Sequence, residues 1–173
     1  MQEIKNTYLC KKTTMNKIDI HITVHEAAHA GELTPLYRAL LHEAIRALPA
    51  SYAPYSQFNV GAAVLLNTAD MVCGSNQENA ASPAGVCAEC AALYNASTRY
   101  PQAAVVAVAV VSATGGKLNS APVYPCGRCR QVLLEYEKRA GNPIAVIMGG
   151  SAKIHIVDSV KDLLPLNFEL STL

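Results

Sequence analysis

The segment 105–113 (VVAVAVVSA) limits the possible folds of this chain more than any other part of the sequence. It is apolar almost throughout, whereas a strand with one solvated face alternates apolar and polar residues. We therefore expect a β-strand that is buried on both faces. Such a strand requires helices on both sides of its sheet, which indicates an α/β protein.

Other parts of the chain supply the remaining elements of this architecture. Thr34 followed by Pro35 is a typical helix start, and Gly141 is a typical residue just after a helix. The sequence predicts helices at about 36–48, 87–98 and 127–140, with a last helical turn at 159–162. Strands are predicted at 18–24, 58–66, 71–76, 105–113, 144–148 and 154–157.

The chain has 173 residues, which favours one domain with a substantial core. We predict a flexible tail in residues 1–17, in which Met15 is an alternative start, and a single domain in residues 18–173. The net charge is +1 and the Lys and Arg residues are scattered, so nothing indicates a nucleic-acid surface. The longest apolar run, residues 103–111, is too short to cross a bilayer.

The N-terminus is polar and lacks the apolar region of a signal peptide, so we expect a cytoplasmic protein. In that compartment, six cysteines are more consistent with reduced thiols and a bound metal than with disulfides.

Four of the cysteines form two C-x2-C pairs, GVCAECAAL at 85–93 and PCGRCRQ at 125–131. The combined pattern, C-x2-C-x35-C-x2-C, fits a closed zinc site with four thiolates. However, Glu89 lies inside the first pair, and a structural zinc site does not need a glutamate. The pattern leaves two possibilities: four thiolate ligands, or three thiolates and an open position for chemistry.

The cysteines lie where predicted helices begin. Cys87 falls in the first turn of one helix, and Cys126 and Cys129 bracket the start of another. Helix N-termini carry free N–H groups and the positive end of the helix dipole, which favour thiolate ligands. Since Cys87 and Glu89 share one first turn, both can approach an ion beyond the helix end. This arrangement supplies three sulfur ligands and one acid that need not bind the metal.

Zinc with three protein ligands retains a water molecule, whose pKa falls to roughly 7. Glu89 would take a proton from this water and return it to the substrate as a general acid–base catalyst. Zinc deaminases use this pattern, in which His or Cys is followed after one residue by Glu, and later by P-C-x-x-C. Here it reads Cys87-Ala88-Glu89 and Pro125-Cys126-Gly127-Arg128-Cys129.

These motifs resemble those of the small three-cysteine cytidine deaminases, and the resemblance extends over residues 34–168. Three further segments contribute to it: YAPYSQFNVGAAV at 52–64, NQENA at 76–80 and LLPLNF at 163–168. The resemblance implies a three-layer α/β/α sandwich around a mixed, roughly five-stranded sheet, with its core in residues 34–168. It also implies homotetramers whose active sites are completed by neighbouring subunits.

The resemblance implies a role for individual residues as well. One zinc ion per subunit would be bound by Cys87, Cys126 and Cys129, with Glu89 as the proton carrier. The implied substrate contacts are stacking from Phe58, hydrogen bonds to the sugar from Asn76 and Glu78, backbone contacts from Ala88 and a pocket contact from Phe168.

The sequence departs from the family pattern at two positions. Cys90 replaces an arginine that offsets the thiolates, since one zinc ion with three thiolates carries a net negative charge. Arg128 would take over this role, and an arginine there also resembles blasticidin-S deaminase, which acts on a modified cytosine nucleoside. Ser82 replaces an aromatic residue that normally helps to line a neighbour's pocket, so the preferred nucleoside is left open.

The histidines have simpler interpretations. The segment from His25 to His29 (HEAAH) matches the H-E-x-x-H motif of zinc proteases. It lies between a predicted strand and a proline-opened helix, so we interpret it as a solvated connector. His155 belongs to no recognisable pattern, and we interpret it as a surface histidine or one whose hydrogen bonds are satisfied.

The sequence therefore predicts an enzyme that hydrolyses cytidine and deoxycytidine to uridine and deoxyuridine with release of ammonia, as in pyrimidine salvage. Two alternatives are a deaminase of a modified cytosine nucleoside, as in the blasticidin-S type, and a non-enzymatic four-cysteine zinc protein. Glu89 and the NQEN segment argue against the last, because a structural site requires neither. The expected partner is a small nucleoside, with no nucleic acid and no membrane.

Overall fold

The computed structural model describes residues 16–170, and the predictions for residues 1–15 and 171–173 lie outside this range. Within the described residues, the helices are α1 (Pro35–Ala47), α2 (Ala88–Arg99) and α3 (Gly127–Ala140). The strands are β1 (His25–Ala27), β2 (Phe58–Leu66), β3 (Met71–Ser75), β4 (Val105–Thr114), β5 (Lys117–Leu118), β6 (Ala145–Gly149) and β7 (Ile154–Val157). No helix in this part of the chain has the length and apolar character needed to cross a membrane.

All of these strands belong to one mixed sheet in the order β1-β7-β6-β4-β2-β3, and β5 pairs with β4. The β4–β6 pair is parallel, and the other pairs are antiparallel. The predicted, roughly five-stranded sheet corresponds to β2, β3, β4, β6 and β7. The two short strands, β1 and β5, extend it.

Helices cover both faces of the sheet, as the apolar sequence of β4 predicts. On one face, Leu40 of α1 packs in a cluster that contains Ala109 of β4. On the other face, Leu93 of α2 and Leu133 of α3 pack in a cluster that contains Val108. Adjacent residues of β4 therefore belong to different cores, and the predicted three-layer α/β/α sandwich is confirmed.

The helix ends follow local sequence signals. Thr34 caps α1, because its Oγ1 accepts a hydrogen bond from the Tyr37 N–H at 3.2 Å. After α3, Gly141 adopts a φ of 66°, a left-handed conformation that glycine reaches without strain. Cys87 and Cys126 are the N-cap residues of α2 and α3, so both cysteine pairs lie at helix starts, as predicted.

A glycine in β3 sets the position of α2. A Cβ atom at Gly74 would clash with the backbone of Ala88 and Ala92 in this helix. The absence of a side chain at Gly74 therefore lets the first turns of α2 lie directly against the sheet. This close approach places Cys87 and Glu89 next to the end of β3.

The predicted strand at 18–24 is wrong, and the short strand β1 begins just after it. β1 pairs with β7 in a register that sets His25 opposite Ile156. Because β7 ends at Val157, the residues before Val24 have no strand to pair with. The alternating apolar side chains of 18–24 are instead exposed to solvent. The connector predicted at HEAAH is likewise wrong for its first three residues, which form β1.

Candidate zinc centre and active-site cleft

Three cysteine sulfurs converge at the starts of α2 and α3. The Sγ atoms of Cys87, Cys126 and Cys129 all lie within 4.8 Å of one another. The Cys87–Cys126 separation is 3.8 Å, and the Cys126–Cys129 separation is 3.6 Å. Tetrahedral zinc with Zn–S bonds of about 2.3 Å requires sulfur–sulfur distances of about 3.8 Å. The three sulfurs, called here the cysteine cluster, therefore fit a zinc ion.

Helix geometry and local charge favour thiolates in the cysteine cluster. Cys87 and Cys126 immediately precede the first turns of α2 and α3, near the positive ends of the helix dipoles. Hydrogen bonds from Cys129 and Cys126 and the positive charge of Arg128 lower the pKa of Cys87 to about 6. The pKa of Cys129 is raised, because it donates hydrogen bonds to Cys87 and Cys90. Since thiolate is the form that binds metal, the lowered pKa of Cys87 favours metal binding by this residue.

Cys90 lies one turn further along α2 and is not a member of the cysteine cluster. Its side chain is fully buried, and its Sγ atom lies 3.7 Å from that of Cys129. A site with four thiolates requires all four sulfurs at similar mutual distances. Contact with Cys129 alone does not meet this requirement, so the geometry favours three sulfur ligands over four.

Glu89 is an acid next to the cysteine cluster, and it is almost completely buried. Only 4% of its surface is exposed, and it lines the same cleft as Cys87. Burial raises the pKa of Glu89, and the negative charge of Cys87 raises it further. A carboxyl group with a raised pKa can accept and return a proton near neutral pH, as a general acid–base catalyst must.

A cleft of about 860 Å³ opens beside the cysteine cluster. Its volume lies within the range of about 300–1,000 Å³ that is typical of small-molecule sites. Cys129 is buried and does not line the cleft. Ser82 does line the cleft. The other predicted residues that line it are Phe58, Asn76, Glu78, Cys87, Ala88, Glu89, Cys126 and Arg128.

Asn76 and Glu78 bind the loop that leads into β2. The Asn76 Nδ2 donates a hydrogen bond to the Phe58 carbonyl at 2.9 Å. The Glu78 Oε2 accepts hydrogen bonds from the Tyr55 N–H at 2.9 Å and the Ser56 N–H at 3.3 Å. Hydrogen bonds from the Ser56 side chain and from the Tyr55 N–H lower the pKa of Glu78. Glu78 is therefore a carboxylate acceptor at neutral pH, and both side chains fix the part of the cleft that carries Phe58.

Arg128 is exposed. Its guanidinium group lies near Cys90 of α2 and near Cys87, the N-cap residue of that helix. Its Nη1 donates a hydrogen bond to the Gly85 carbonyl at 3.4 Å. A hydrogen bond with Tyr94 and the negative charges of Cys90 and Cys87 raise the pKa of this guanidinium group. Arg128 thus supplies a positive charge beside the cysteine cluster from the α3 side.

Phe168 does not line the cleft of its own subunit. Its side chain is 69% exposed, and its carbonyl accepts a hydrogen bond from the Gln131 Nε2 of α3 at 3.0 Å. The structure therefore does not bring Phe168 to the cleft to which the sequence analysis assigns it.

Sequence reasoning missed Tyr124, which lines the cleft and immediately precedes the PCGRC motif. Its place directly before the second cysteine pair was an available signal. Its hydroxyl group is hydrogen-bonded to His155, which the sequence left without a role.

The HEAAH segment holds no metal site. Among the residues that the structure describes, the cysteine cluster is the one group of His, Cys, Asp or Glu side chains with metal-binding spacing. His25 instead contacts Asp158, and the His29 ring accepts a hydrogen bond from the Gly31 N–H.

Comparison with known families agrees with this site. The family model for the cytidine and deoxycytidylate deaminase zinc-binding region matches residues 36–141. This chain belongs to that family of zinc-dependent enzymes. The predicted zinc cofactor is confirmed by the family match together with the cysteine cluster.

Individual relatives carry the name cytidine deaminase. The protein from Halalkalibacterium halodurans is 45% identical over 96 residues, which cover 56% of this chain and 68% of the relative. The protein from Mycobacterium tuberculosis is 40% identical over 108 residues, which cover 58% and 71%. The crystal structure of cytidine deaminase from Burkholderia pseudomallei superimposes with a TM-score of 0.64 at 35% identity, covering 76% of this chain and 98% of that one. These similarities confirm the predicted fold class and the prediction of a deaminase enzyme.

Proposed function

We propose that this protein hydrolyses cytidine and deoxycytidine to uridine and deoxyuridine, with release of ammonia. The observation that carries the proposal is the position of Glu89, a buried acid with a raised pKa that lies beside the cysteine cluster and lines a nucleoside-sized cleft. The names of the related proteins support the choice of cytidine. Turnover of free cytosine nucleosides would place the enzyme in pyrimidine salvage.

Cys87, Cys126 and Cys129 are the proposed zinc ligands, because their sulfur–sulfur distances suit tetrahedral coordination. A zinc ion held by these residues would supply an activated water molecule at neutral pH, which the replacement of an amine by oxygen requires.

Glu89 would move both protons of the reaction. It takes one proton from the attacking water and delivers it to the ring nitrogen N3. It then takes a second proton from the new hydroxyl group on C4 and delivers it to the amine, which leaves as ammonia. Since the carboxyl group returns to its starting state, cytidine and water are converted to uridine and ammonia with no other reactant. Its raised pKa suits both proton transfers.

The remainder of the cleft would bind the nucleoside. Phe58 would stack on the pyrimidine, and the backbone of Ala88 at the start of α2 would contact the base. Asn76 and Glu78 would hydrogen-bond the sugar hydroxyl groups, because the Glu78 carboxylate retains Oε1 as a further acceptor. All four residues line the cleft, which supports these assignments.

Arg128 would balance the charge of the zinc site. One zinc ion and three thiolates leave a net negative charge, and Cys90 stands where the family pattern has arginine. The raised pKa of the Arg128 guanidinium group, caused in part by the charges of Cys90 and Cys87, supports this role.

We place Phe168 in the active site of a neighbouring subunit of a homotetramer. Its exposed side chain and its absence from its own cleft support such a contact. We also expect the enzyme to work in the cytoplasm, where thiols are kept reduced, because the proposed ligands are free cysteines.

A modified cytosine nucleoside of the blasticidin-S type is a second candidate substrate. Arg128 between Cys126 and Cys129 favours it, and so does Ser82, a small residue where the family pattern has an aromatic residue that helps to line a neighbour's pocket. A four-thiolate protein without enzymatic activity is disfavoured, because Cys90 lies outside the cysteine cluster.

The test is a panel of free nucleosides and bases with purified protein whose zinc content has been measured. We expect the highest kcat/KM for cytidine or deoxycytidine and stoichiometric release of ammonia. Turnover of blasticidin S alone would favour the second candidate, and no turnover of any cytosine nucleoside by the zinc-loaded protein would contradict the proposal.

A further inference from the structure

A chain of hydrogen bonds connects the cleft to the N-terminal strand β1. The Tyr124 hydroxyl group lies 2.9 Å from Nδ1 of His155 on β7. Nε2 of the same ring lies 2.7 Å from Oε2 of Glu26. His155 and Glu26 are directly opposite each other in the β1–β7 register, so the strand pairing itself creates this contact. Tyr124 lines the cleft, and its link to Glu26 therefore reaches from the site to the edge of the sheet.

This series of hydrogen bonds determines where the hydroxyl hydrogen of Tyr124 points. A carboxylate is only an acceptor, so Nε2 of His155 carries the hydrogen in the contact with Glu26. In the tautomer that donates from Nε2 to Glu26, Nδ1 is an acceptor, and Tyr124 donates its single hydrogen to it. Hydrogen bonds from His155 and Lys153 lower the pKa of Glu26, which keeps it ionised for this purpose. The Tyr124 oxygen retains only lone pairs for a molecule in the cleft.

The position of Tyr124 suggests which part of the substrate meets this acceptor. Tyr124 is two residues before Cys126, so their Cα atoms lie at most about 7 Å apart. Its backbone therefore lies near the cysteine cluster, and its side chain lines the cleft in which the proposed reaction places the amine-bearing carbon of cytosine beside the cluster. The exocyclic amine of cytosine donates hydrogen bonds, whereas the corresponding carbonyl of uracil only accepts them.

We infer that Tyr124 is a specificity-determining residue that accepts a hydrogen bond from the exocyclic amine of the substrate. His155 and Glu26 are positioning residues that keep the hydroxyl hydrogen of Tyr124 turned away from the cleft. The tilted packing of the Tyr124 and His155 rings, with centroids 5.9 Å apart, also limits movement of the tyrosine. The inference rests on the proposed function and deepens it, because it assigns the discrimination of substrate from product. It also gives β1 a role in the active site.

The experiment measures equilibrium binding of cytidine and of uridine by calorimetry, in a zinc-loaded Glu89→Gln background that prevents turnover. Tyr124→Phe removes the acceptor and keeps the ring, so we expect cytidine to bind about three- to tenfold more weakly. Uridine affinity should stay the same or increase. Glu26→Ala should lower the ratio of cytidine to uridine affinity in the same direction, because the hydroxyl hydrogen is no longer fixed.

His25→Ala is the matched control. It removes another side-chain contact of β1, between His25 Nε2 and Asp158 Oδ2 at 3.0 Å, and His25 does not line the cleft. We expect it to leave the affinity ratio unchanged. An equal loss in His25→Ala and Glu26→Ala would overturn the positioning role, since general loosening of β1 would then explain both. An unchanged ratio in Tyr124→Phe would overturn the inference alone, whereas a parent protein that does not turn over cytidine would overturn it together with the proposed function.

Discussion

The Sγ atom of Cys90 lies 3.7 Å from that of Cys129, yet Cys90 is not a member of the cluster that Cys129 forms with Cys87 and Cys126. A cysteine side chain thus lies beside the proposed zinc ligands at the position where the family pattern has a cation. We propose that the balancing positive charge comes instead from Arg128 of α3. The charge arrangement around the three sulfur atoms would then differ from the family pattern.

This relationship predicts different effects for the four neighbouring cysteines. Alanine in place of Cys87, Cys126 or Cys129 should remove most of the zinc and lower the melting temperature, because loss of a ligand couples to folding. Cys90→Ala should retain zinc, since its sulfur lies outside the cluster. Metal analysis and thermal unfolding of the four variants test this. Nearly full zinc occupancy in Cys87→Ala, or loss of zinc in Cys90→Ala, would contradict the three-ligand assignment.

Arg128→Ala should shift the activity profile toward higher pH. Without this positive charge, the hydroxide formed from the attacking water is less stable. The pKa of the water therefore rises, and its deprotonation requires a higher pH. The acidic limb of kcat against pH reports this shift. Cys90→Arg in the Arg128→Ala background should restore part of the loss, because it returns a cation to the position that the family pattern uses. A pH profile identical to that of the parent would mean that Arg128 does not balance the charge.

Glu137 should contribute strongly to stability without a role in catalysis. Its buried carboxylate accepts hydrogen bonds from the Ile144 N–H at 2.9 Å and the Val160 N–H at 2.8 Å. Glu137→Ala leaves both buried groups without a partner, at a cost of about 1–3 kcal/mol for each. Urea unfolding should show a loss of this size, with zinc content and kcat unchanged in the folded protein. The exposed neighbour Glu135 provides the control, and an equally large loss in Glu135→Ala would contradict this account.

Elements with strong local signals were predictable from the sequence. α3 begins and ends as predicted, because it follows the cysteine pair and stops at a glycine that adopts a left-handed conformation. β4 was predictable because a strand buried on both faces is apolar throughout. The segment 18–24 has the period of a strand but does not form one, since the short strand β7 offers it no partner. The alternation of apolar and polar residues in a segment carries no information on the length of the strand with which that segment would pair.

The same distinction applies to the candidate site. The cysteine cluster and Glu89 were predictable because their spacing places them at the starts of two helices. Glu26, His155 and Tyr124 come from distant parts of the chain. Glu26 meets His155 only through the β1–β7 register, and the Tyr124 hydroxyl group contacts His155 from the segment before α3. No sequence pattern indicates that register. Phe168 was predicted as a pocket residue, and its place in a neighbouring subunit stays a prediction.

Glu89→Gln tests the central claim most directly, since it keeps the shape of the side chain and removes the proton carrier. The measurement is kcat for cytidine, normalised to bound zinc, in the parent and the variant. We predict full zinc occupancy, an unchanged melting temperature and a loss in kcat of about 10²–10⁴-fold or more. A zinc-loaded Glu89→Gln protein with kcat within a few-fold of the parent would show that Glu89 is a packing residue, and the proposed mechanism would be wrong.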